Sequence, residues 1–593
     1  MRNFKLFFKS IFFSLSLIYC SSGLWIIVYF LFSLVGSTLG LISTYSLKYL
    51  LDNLTTDSIA IQAIIIWFVI YIIVLFLTEC IKSIQNILYD FISKKAEHLY
   101  DCKLAENLYK LPLSVIDSSK GKDVVDDVKC AKNTAVYFTY RLVSIFSLVY
   151  TFTISLSVIS IFNIWFLVAF LLLTIPGMII RLIYDKKSED LRRKQAPDVR
   201  KFCYYRWMLT DPWPAKDVRM YDLTSPIRQR YDEVKSEYIS ANKRLDKKKL
   251  YLMLFTELVL RAGEIIFTIF VIWKAVLGEI GIGDIALYIG LAFSAVNAFE
   301  NFMYIGLTAY TRTTDIMSRV FDFFAIPTEE SVGTRSLSKF ETLEFRDVCF
   351  KYPHTKNDVL KGVSFTLNKG DKISLVGING SGKSTIIKLM LGLYDVESGD
   401  ILINGYPMSD YEIRDVRKMF SVLFQNFVQY PLSLRDNIAL SDYDRASDDN
   451  FVTASLEQSG VYSELQEKLV NGLDSFMTRQ FDDNGTELSK GQWQKIALSR
   501  AYFKNADIFI FDEPSAALDA EAEDRIFKNF EEISDGKTGI MISHRISAAR
   551  MSNKIIVLDG GMITEIGSHE ELIQKDGLYT KLYNFQKEKY TLR

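Results

Sequence analysis

Six apolar stretches, each near the ~20 residues a helix needs to cross a hydrocarbon core of about 30 Å, crowd the first half of this chain. They fall at about 23–47, 59–80, 140–161, 163–183, 251–274 and 284–309, and beyond residue 325 no run of that length recurs. The chain is therefore expected to divide into an all-α, six-helix transmembrane domain and a soluble domain. Composition agrees. Apolar residues are 49% of 593 and charged residues 23%, two figures that fit together only if greasy and soluble parts are segregated. Intrinsic disorder and a purely soluble enzyme are excluded. A net charge of −1 leaves no general footprint for nucleic acid. Six cysteines without a CxxC pair and four scattered histidines argue against a zinc ribbon, a thioredoxin-like centre or a histidine-rich metal site.

Residues 1–22 open with Arg2 and Lys5 ahead of an apolar run. Lys9 interrupts that run, and bulky Tyr19 stands where cleavage needs a small residue. The segment is expected to be an interfacial elbow helix. With the first span opening near residue 23, no N-terminal protease domain is expected, and so no leader cleavage in cis. Segment 81–139 carries Lys82, Lys94, Lys95, Lys103, Lys110, Lys120, Lys122, Lys129 and Lys132. Segment 184–250 carries Lys186, Lys187, Arg192, Arg193, Lys194, Arg200 and Lys201 and ends in Lys247-Lys248-Lys249. The intervening connections are short and hold little beyond Lys48 and Lys274. By the positive-inside rule both long excursions and both termini are cytoplasmic. The excursions keep helical periodicity, so they read as membrane helices continued into the cytoplasm.

Glu257, Arg261 and Glu264 lie at i, i+4 and i+7 of the fifth span, on one helical face. Charge at that depth is costly and turns to a bundle interior or a wet cavity. The trio is either a structural ion pair or part of a substrate cavity, and the shared face is expected to point into the cavity. One spare negative charge would favour a substrate of positive character. The sixth span carries Asn297, Glu300 and Asn301, and Pro176-Gly177 marks a kink in the fourth.

A polar linker over 326–340 leads to a second domain, 341–593, where short β-rich runs alternate with helical ones. Its strongest signal is Gly377-Ile378-Asn379-Gly380-Ser381-Gly382-Lys383-Ser384-Thr385, after the apolar strand Ile373–Val376 and before the helical run Ile386–Leu391. That is the strand–turn–helix context of a P-loop. Backbone N–H groups would wrap phosphates at a helix N-terminus. Lys383 would reach the β/γ-phosphates and Ser384 would ligate Mg²⁺. A second strand, Ile508–Phe511, delivers Asp512-Glu513-Pro514. Asp512 is expected to hold Mg²⁺ through water, and Glu513 to act as general base on the attacking water.

Between these lies Leu488-Ser489-Lys490-Gly491-Gln492. It resembles the signature motif of ATP-binding cassette (ABC) proteins, usually written LSGGQ, with Lys490 in place of the first glycine. Other elements of that family follow in order. Tyr352 resembles the aromatic that stacks on adenine, Gln425 the Q-loop glutamine, Ala517-Leu518-Asp519 the D-loop and His544 the switch histidine. Asp482-Asp483-Asn484-Gly485 resembles the exporter-specific segment, with Asp483 where glutamate is usual. The resemblance covers essentially the whole chain and implies an exporter-type half-transporter. Segments 114–123 and 211–218 would be its two coupling helices.

What the resemblance implies is specific. ATP would be held by Tyr352, Gly377, Asn379, Gly380, Ser381, Gly382, Lys383, Ser384, Thr385 and, from a second subunit, Ser489, Gly491 and Gln492. Ser384, Gln425 and Asp512 would hold Mg²⁺, and Glu513, His544 and Gln425 would serve hydrolysis. The chain would work as a homodimer, or as a heterodimer with a second half-transporter. It would sit multi-pass in a bacterial plasma (inner) membrane and export an amphipathic peptide, lipid or drug-like substrate by alternating access. Import through the same architecture, as in some siderophore systems, and an ATP-gated channel or regulator are the alternatives. Lys490 is either a tolerated surface variant or a weakened contact with the γ-phosphate.

Overall fold

A computed structural model describes residues 2–55, 61–308, 310, 313–329, 333–353, 355–513, 530, 536–543 and 549–591. Its contacts divide the chain into two units, Met1–Tyr109 with Asp123–Ile326, and Lys110–Lys122 with Pro327–Arg593.

The first unit is helical. Its helices are α1 (Arg2–Ser22), α2 (Trp25–Thr55), α3 (Ile61–Lys110), α5 (Ser119–Thr210), α6 (Ala215–Met220), α7 (Thr224–Val276), α8 (Ile282–Thr308) and α9 (Thr314–Phe324); α4 (Leu113–Ile116), between α3 and α5 in sequence, belongs to the second unit. Residues such as Phe76, Leu258 and Ile265 are exposed, as lipid-facing positions must be. Inward, Leu41, Ile159, Phe267, Val271 and Leu291 form one buried cluster joining α2, α5, α7 and α8. The helical run of α5 contains Pro176 and Pro197. Arg200 nevertheless reaches Asp123 at 3.3 Å, although the two are 77 residues apart. A straight helix would separate them by about 115 Å, so the run doubles back between them as two arms.

Among the described residues five helical segments are long and apolar enough to cross a membrane: Phe4–Ser22, Trp25–Thr55, Ile61–Lys110, Lys120–Ser160 and Ile282–Leu307. Two differences from the sequence reading stand out. The expected interfacial helix satisfies length and apolarity for crossing, because Lys9 is its only charge after Lys5. Its inner face packs on the bundle, Phe7 against Phe138 and Phe13 against Phe321. Conversely, the fifth expected span falls outside that set because Glu257, Arg261, Glu264 and Lys274 interrupt it, and the fourth, 163–183, lies partly outside the residues whose side chains are described.

The second unit carries β1 (Thr342–Phe350), β2 (Leu360–Asn368), β3 (Lys372–Gly377), β4 (Ser398–Ile403), β5 (Tyr406–Pro407), β6 (Phe420–Leu423), β7 (Ile508–Asp512), β8 (Thr538–Ile542), β9 (Lys554–Asp559) and β10 (Met562–Gly567). A four-stranded antiparallel sheet has the order β2-β1-β4-β5, and a six-stranded sheet the order β10-β9-β3-β8-β7-β6. In the larger sheet β9, β3, β8, β7 and β6 run parallel and β10 closes one edge antiparallel. β7 and β8 are buried along their whole length, as parallel strands covered on both faces are. One core, including Phe345, Leu375, Ile387, Ile510 and Ile556, joins both sheets to α10 (Lys383–Met390). A separate helical cluster is built on Leu434, Leu456, Trp493, Ile496 and Phe503.

The expected linker is partly tied down. Arg335 N–H donates to Asp410 O and Arg335 O accepts from Glu412 N–H, while its guanidinium lies 3.3 Å from the Tyr406 ring centroid. The short segment Lys110–Lys122 belongs to this unit. Leu113 of α4 packs on its core, and Tyr394 Oη donates to the Asp117 carboxylate.

Candidate nucleotide site and a charged membrane cavity

β3 ends at Gly377 and the chain turns through Gly380 (φ 81°) and Gly382 (φ 106°) into α10. Both glycines occupy backbone conformations that other residues reach only with strain. A Cβ on Gly377 would lie 2.3 Å from Leu558 O, so β9 leaves room for no side chain there. Lys383, buried at the start of α10, donates to Gly377 O at 2.9 Å and Ile378 O at 3.0 Å. Burial pushes its ammonium below the ordinary lysine range, against the opposing pull of the Glu513 and Asp512 carboxylates. Ser381 is buried and its hydroxyl has no partner among the described residues. A buried orphan hydroxyl inside a ring of amides is a ready partner for a phosphate oxygen.

Two strands away, β7 delivers the acids. Ser384 Oγ donates to Asp512 Oδ1 at 3.4 Å, so the two expected metal contacts meet. Glu513 adopts φ 53°, a left-handed conformation that is costly for a side chain and recurs at functional sites. Its N–H donates to Ile542 O at 2.9 Å, which fixes the turn. Gln425 Nε2 donates to Glu513 Oε2 at 2.5 Å, so the glutamine arrives from beyond β6 onto the expected general base. Tyr352 Oη shares a hydrogen bond of 3.1 Å with Thr385 Oγ1, and Lys388 Nζ lies 5.1 Å from its ring centroid. The aromatic expected against adenine is thereby held beside α10. Gly377, Asn379, Gly380, Ser381, Gly382, Lys383, Ser384, Thr385, Tyr352, Gln425, Asp512 and Glu513 thus gather around one strand end.

Ser489, Gly491 and Gln492 stand on the helical cluster instead. Ser489 caps the helix Lys490–Lys504: its Oγ accepts from Gln492 N–H at 3.2 Å, and Gln492 Oε1 accepts from Ser489 N–H at 3.0 Å. This reciprocal box leaves the Ser489 O–H free to donate outward from a positive helix terminus. Lys490 is exposed at the first position of that helix. His544 and the D-loop residues Ala517-Leu518-Asp519 lie outside the described residues.

In the membrane unit the charged trio acquires a fourth member. Arg261 donates to Glu257 Oε1 (3.0 and 2.8 Å) and to both oxygens of Glu264 (2.8 and 2.7 Å), and Glu300 of α8 approaches it to 3.9 Å. The expectation that Glu257 and Glu264 both face the cavity needs correction. The Glu264 side chain is only 5% exposed and closed off by Arg261, whereas Glu257 is 43% exposed. A cavity of about 280 Å³ is lined by Glu257 and Glu300, with Arg181, Met253, Phe299 and Met303 among its walls. The helical wheel placed the trio on one side but did not reveal that Glu264 is buried while Glu257 stays exposed. Glu300 was visible in sequence as a charge inside an apolar span.

Two family models match the chain, the ABC transporter transmembrane region over residues 26–299 and the ABC transporter family over 360–516. The chain belongs to the ABC transporter family, and ATP binding and hydrolysis coupled to transport across a membrane is its activity. It is 31% identical, over 93% of its length and 90% of the relative's, to the subtilin transport ATP-binding protein of Bacillus subtilis. It is 29% identical, over 86% of each chain, to the nisin transport ATP-binding protein of Lactococcus lactis. An ATP-dependent lipid A-core flippase of Vibrio vulnificus is 35% identical over 45% of each chain. The fold matches a bacterial Atm1-family ABC exporter with ATP bound, with TM-score 0.78 over 95% of this chain and 98% of that one, at 21% identity.

Proposed function

We propose that the chain is an export half-transporter that, as a dimer, drives an amphipathic, positively charged substrate out of a bacterial cell. In this reading α2, α3, the two arms of α5, α7 and α8 cross the inner membrane, α1 lies in its interface, and both termini are cytoplasmic. The observation that carries the reading is the convergence of Ser384 with Asp512 and of Gln425 with Glu513 at the P-loop, in a chain whose other unit is built of long apolar helices. A peptide is favoured over a lipid because the relatives named for subtilin and nisin transport align over 86% of this chain or more, the flippase over 45%. The cavity lined by Glu257, Glu300 and Arg181 carries one net negative charge, which supports the positive charge of the substrate.

The residues divide the work. Lys383, the loop amides and the Ser381 hydroxyl bind the phosphates of ATP. Ser384, Asp512 and Gln425 fit a hard divalent cation, since all offer oxygen; Mg²⁺ held there would neutralise phosphate charge. Glu513 accepts the proton of the attacking water, and the amide of Gln425 orients its carboxylate. Ser489 and Gly491 of a second subunit complete the site from their helix terminus, which makes ATP a ligand of the closed dimer and gives it differential affinity for that state. The partner is a second copy of this chain or another half-transporter.

Inside-out vesicles containing the purified protein test the proposal. ATP should drive uphill accumulation of a fluorescent cationic amphipathic peptide, and Glu513→Gln should abolish it. ATP-dependent depletion of preloaded peptide would indicate import, and downhill equilibration alone a channel; either would overturn the reading.

A further inference from the structure

The cations of the second excursion are not equivalent. Lys249 donates to Asp185 at 2.8 Å, Arg193 pairs with Asp315, Arg192 with Glu189 at 3.7 Å and Lys201 with Asp198 at 3.4 Å. Lys187, Lys194, Arg244 and Lys248 have no carboxylate within ion-pair distance among the described residues. These four line one groove of about 440 Å³ between α5 and α7, with Leu191, Ala241 and Leu245 as floor and Asp190 as the only acid. The spacing explains the convergence. Residues 187, 190, 191 and 194 share one helical face, as do 241, 244, 245 and 248, and the two faces look at each other. Two ties fix the width. Lys249 holds Asp185 at one end, and Asn242 Nδ2 donates to Gln195 Oε1 at 3.1 Å at the other. About 15 Å of α5 and about 10 Å of α7 separate the ties, and the groove between them carries three net positive charges.

We propose that this groove is a binding site for the phosphodiester headgroup of an anionic phospholipid of the inner leaflet. Phosphate chemistry follows from unpaired ammonium and guanidinium groups converging on a preformed cleft. The lipid source follows from position. Lys187 lies four residues beyond the fourth expected span and Lys248 three before the fifth, so the groove opens at the headgroup level. On the same two faces, one turn toward the apolar stretches, Ile183, Tyr251 and Leu252 are exposed and offer acyl chains a track. A basic pocket between helices on the cytoplasmic side is a known physical solution for anionic headgroups. The proposal needs the inner-membrane placement of these span ends, but neither the export direction nor the substrate.

The protein is tested in phosphatidylcholine nanodiscs with and without phosphatidylglycerol, scoring retained lipid by native mass spectrometry. The quadruple variant Lys187→Gln/Lys194→Gln/Arg244→Gln/Lys248→Gln spares both ties. The control Lys243→Gln/Lys247→Gln removes cations from the opposite face of α7. Wild type and control should retain phosphatidylglycerol over phosphatidylcholine, and the quadruple variant should lose at least about tenfold of that preference. Basal ATPase turnover in neutral nanodiscs, unchanged in the quadruple variant, shows that it has folded; should that variant be lost, Lys187→Gln/Lys248→Gln carries the test. Equal loss in the control would reduce the effect to general surface charge and overturn the proposal. So would absence of preference in wild type. Release of the retained lipid by millimolar inorganic phosphate would assign the groove to a free anion and overturn the lipid assignment.

Discussion

Removing Arg261 should harm the protein more than removing the pair it makes with Glu264. The Glu264 carboxylate is 5% exposed and receives both of its hydrogen bonds from one guanidinium nitrogen. Arg261→Ala leaves that carboxylate buried without its counter-ion, a loss that costs about 3–5 kcal/mol where both partners are buried. Arg261 itself keeps 40% of its side-chain exposure, so water reaches the gap and the low end applies, ~3 kcal/mol. For a unit of about 300 residues the conversion is ~1.5 °C per kcal/mol, so the melting temperature should fall by about 5 °C. Glu257→Gln should cost no more than ~1 kcal/mol, since that pair is 43% and 40% exposed. The double variant Arg261→Met/Glu264→Leu removes both charges together and should recover to within ~1 kcal/mol of wild type. The assay is tryptophan-fluorescence melting of purified protein in one detergent at one scan rate. An Arg261→Ala protein melting with wild type, or a double variant melting as low as Arg261→Ala, would refute the assignment of Glu264 to the interior.

Four further outcomes are expected. Glu513→Gln should leave ATP affinity nearly intact and cut hydrolysis by about two orders of magnitude or more, read by filter binding and phosphate release, because shape and the Gln425 contact survive while the base is lost. Lys383→Ala should weaken ATP binding as well as turnover; unchanged affinity would contradict a phosphate-facing ammonium. Lys490→Gly should change ATPase activity by less than about threefold if the lysine is tolerated at its exposed position, whereas a gain of about tenfold would mark a weakened signature and unequal sites. His569, hydrogen-bonded to Tyr579 Oη at 2.8 Å, has its imidazole held below the ordinary value by burial and Arg550. Its contribution is complete above the unfolded value of about 6.5 and is lost as pH falls through the lowered folded value, so the melting advantage of wild type over His569→Gln should shrink from neutral to acidic pH.

The P-loop was legible because its information is local: an apolar strand, glycines where φ must be positive and a helix start occupy consecutive residues, and β3, Gly380, Gly382 and α10 appear there. The acids of β7 were legible for the same reason, but the positive φ of Glu513 was not, since it is imposed by the hydrogen bond to Ile542 O of the neighbouring strand. In the membrane unit, length and apolarity marked the segments, and the basic residues marked their excursions. They could not say which face of α7 meets a neighbour, so Glu264 was expected in the cavity that Glu257 and Glu300 line instead. The pairing of α5 with α7 that creates the basic groove is likewise a long-range fact. Only the repeat of cations every three to four residues on each helix hinted at it.

The membership of Lys110–Lys122 in the C-terminal unit changes how the two units are wired together. The chain passes between them three times, after Tyr109, after Lys122 and after Ile326, and only the last passage is the linker. A single tether transmits pull and little else, because it is free to swivel. The first two passages are the end of α3 and the start of α5, helices whose lengths act as lever arms. The C-terminal unit is therefore joined covalently to the end of one long helix and the start of another, as well as to the linker. Cutting the chain within the linker would sever one passage of the three and leave that lever connection whole.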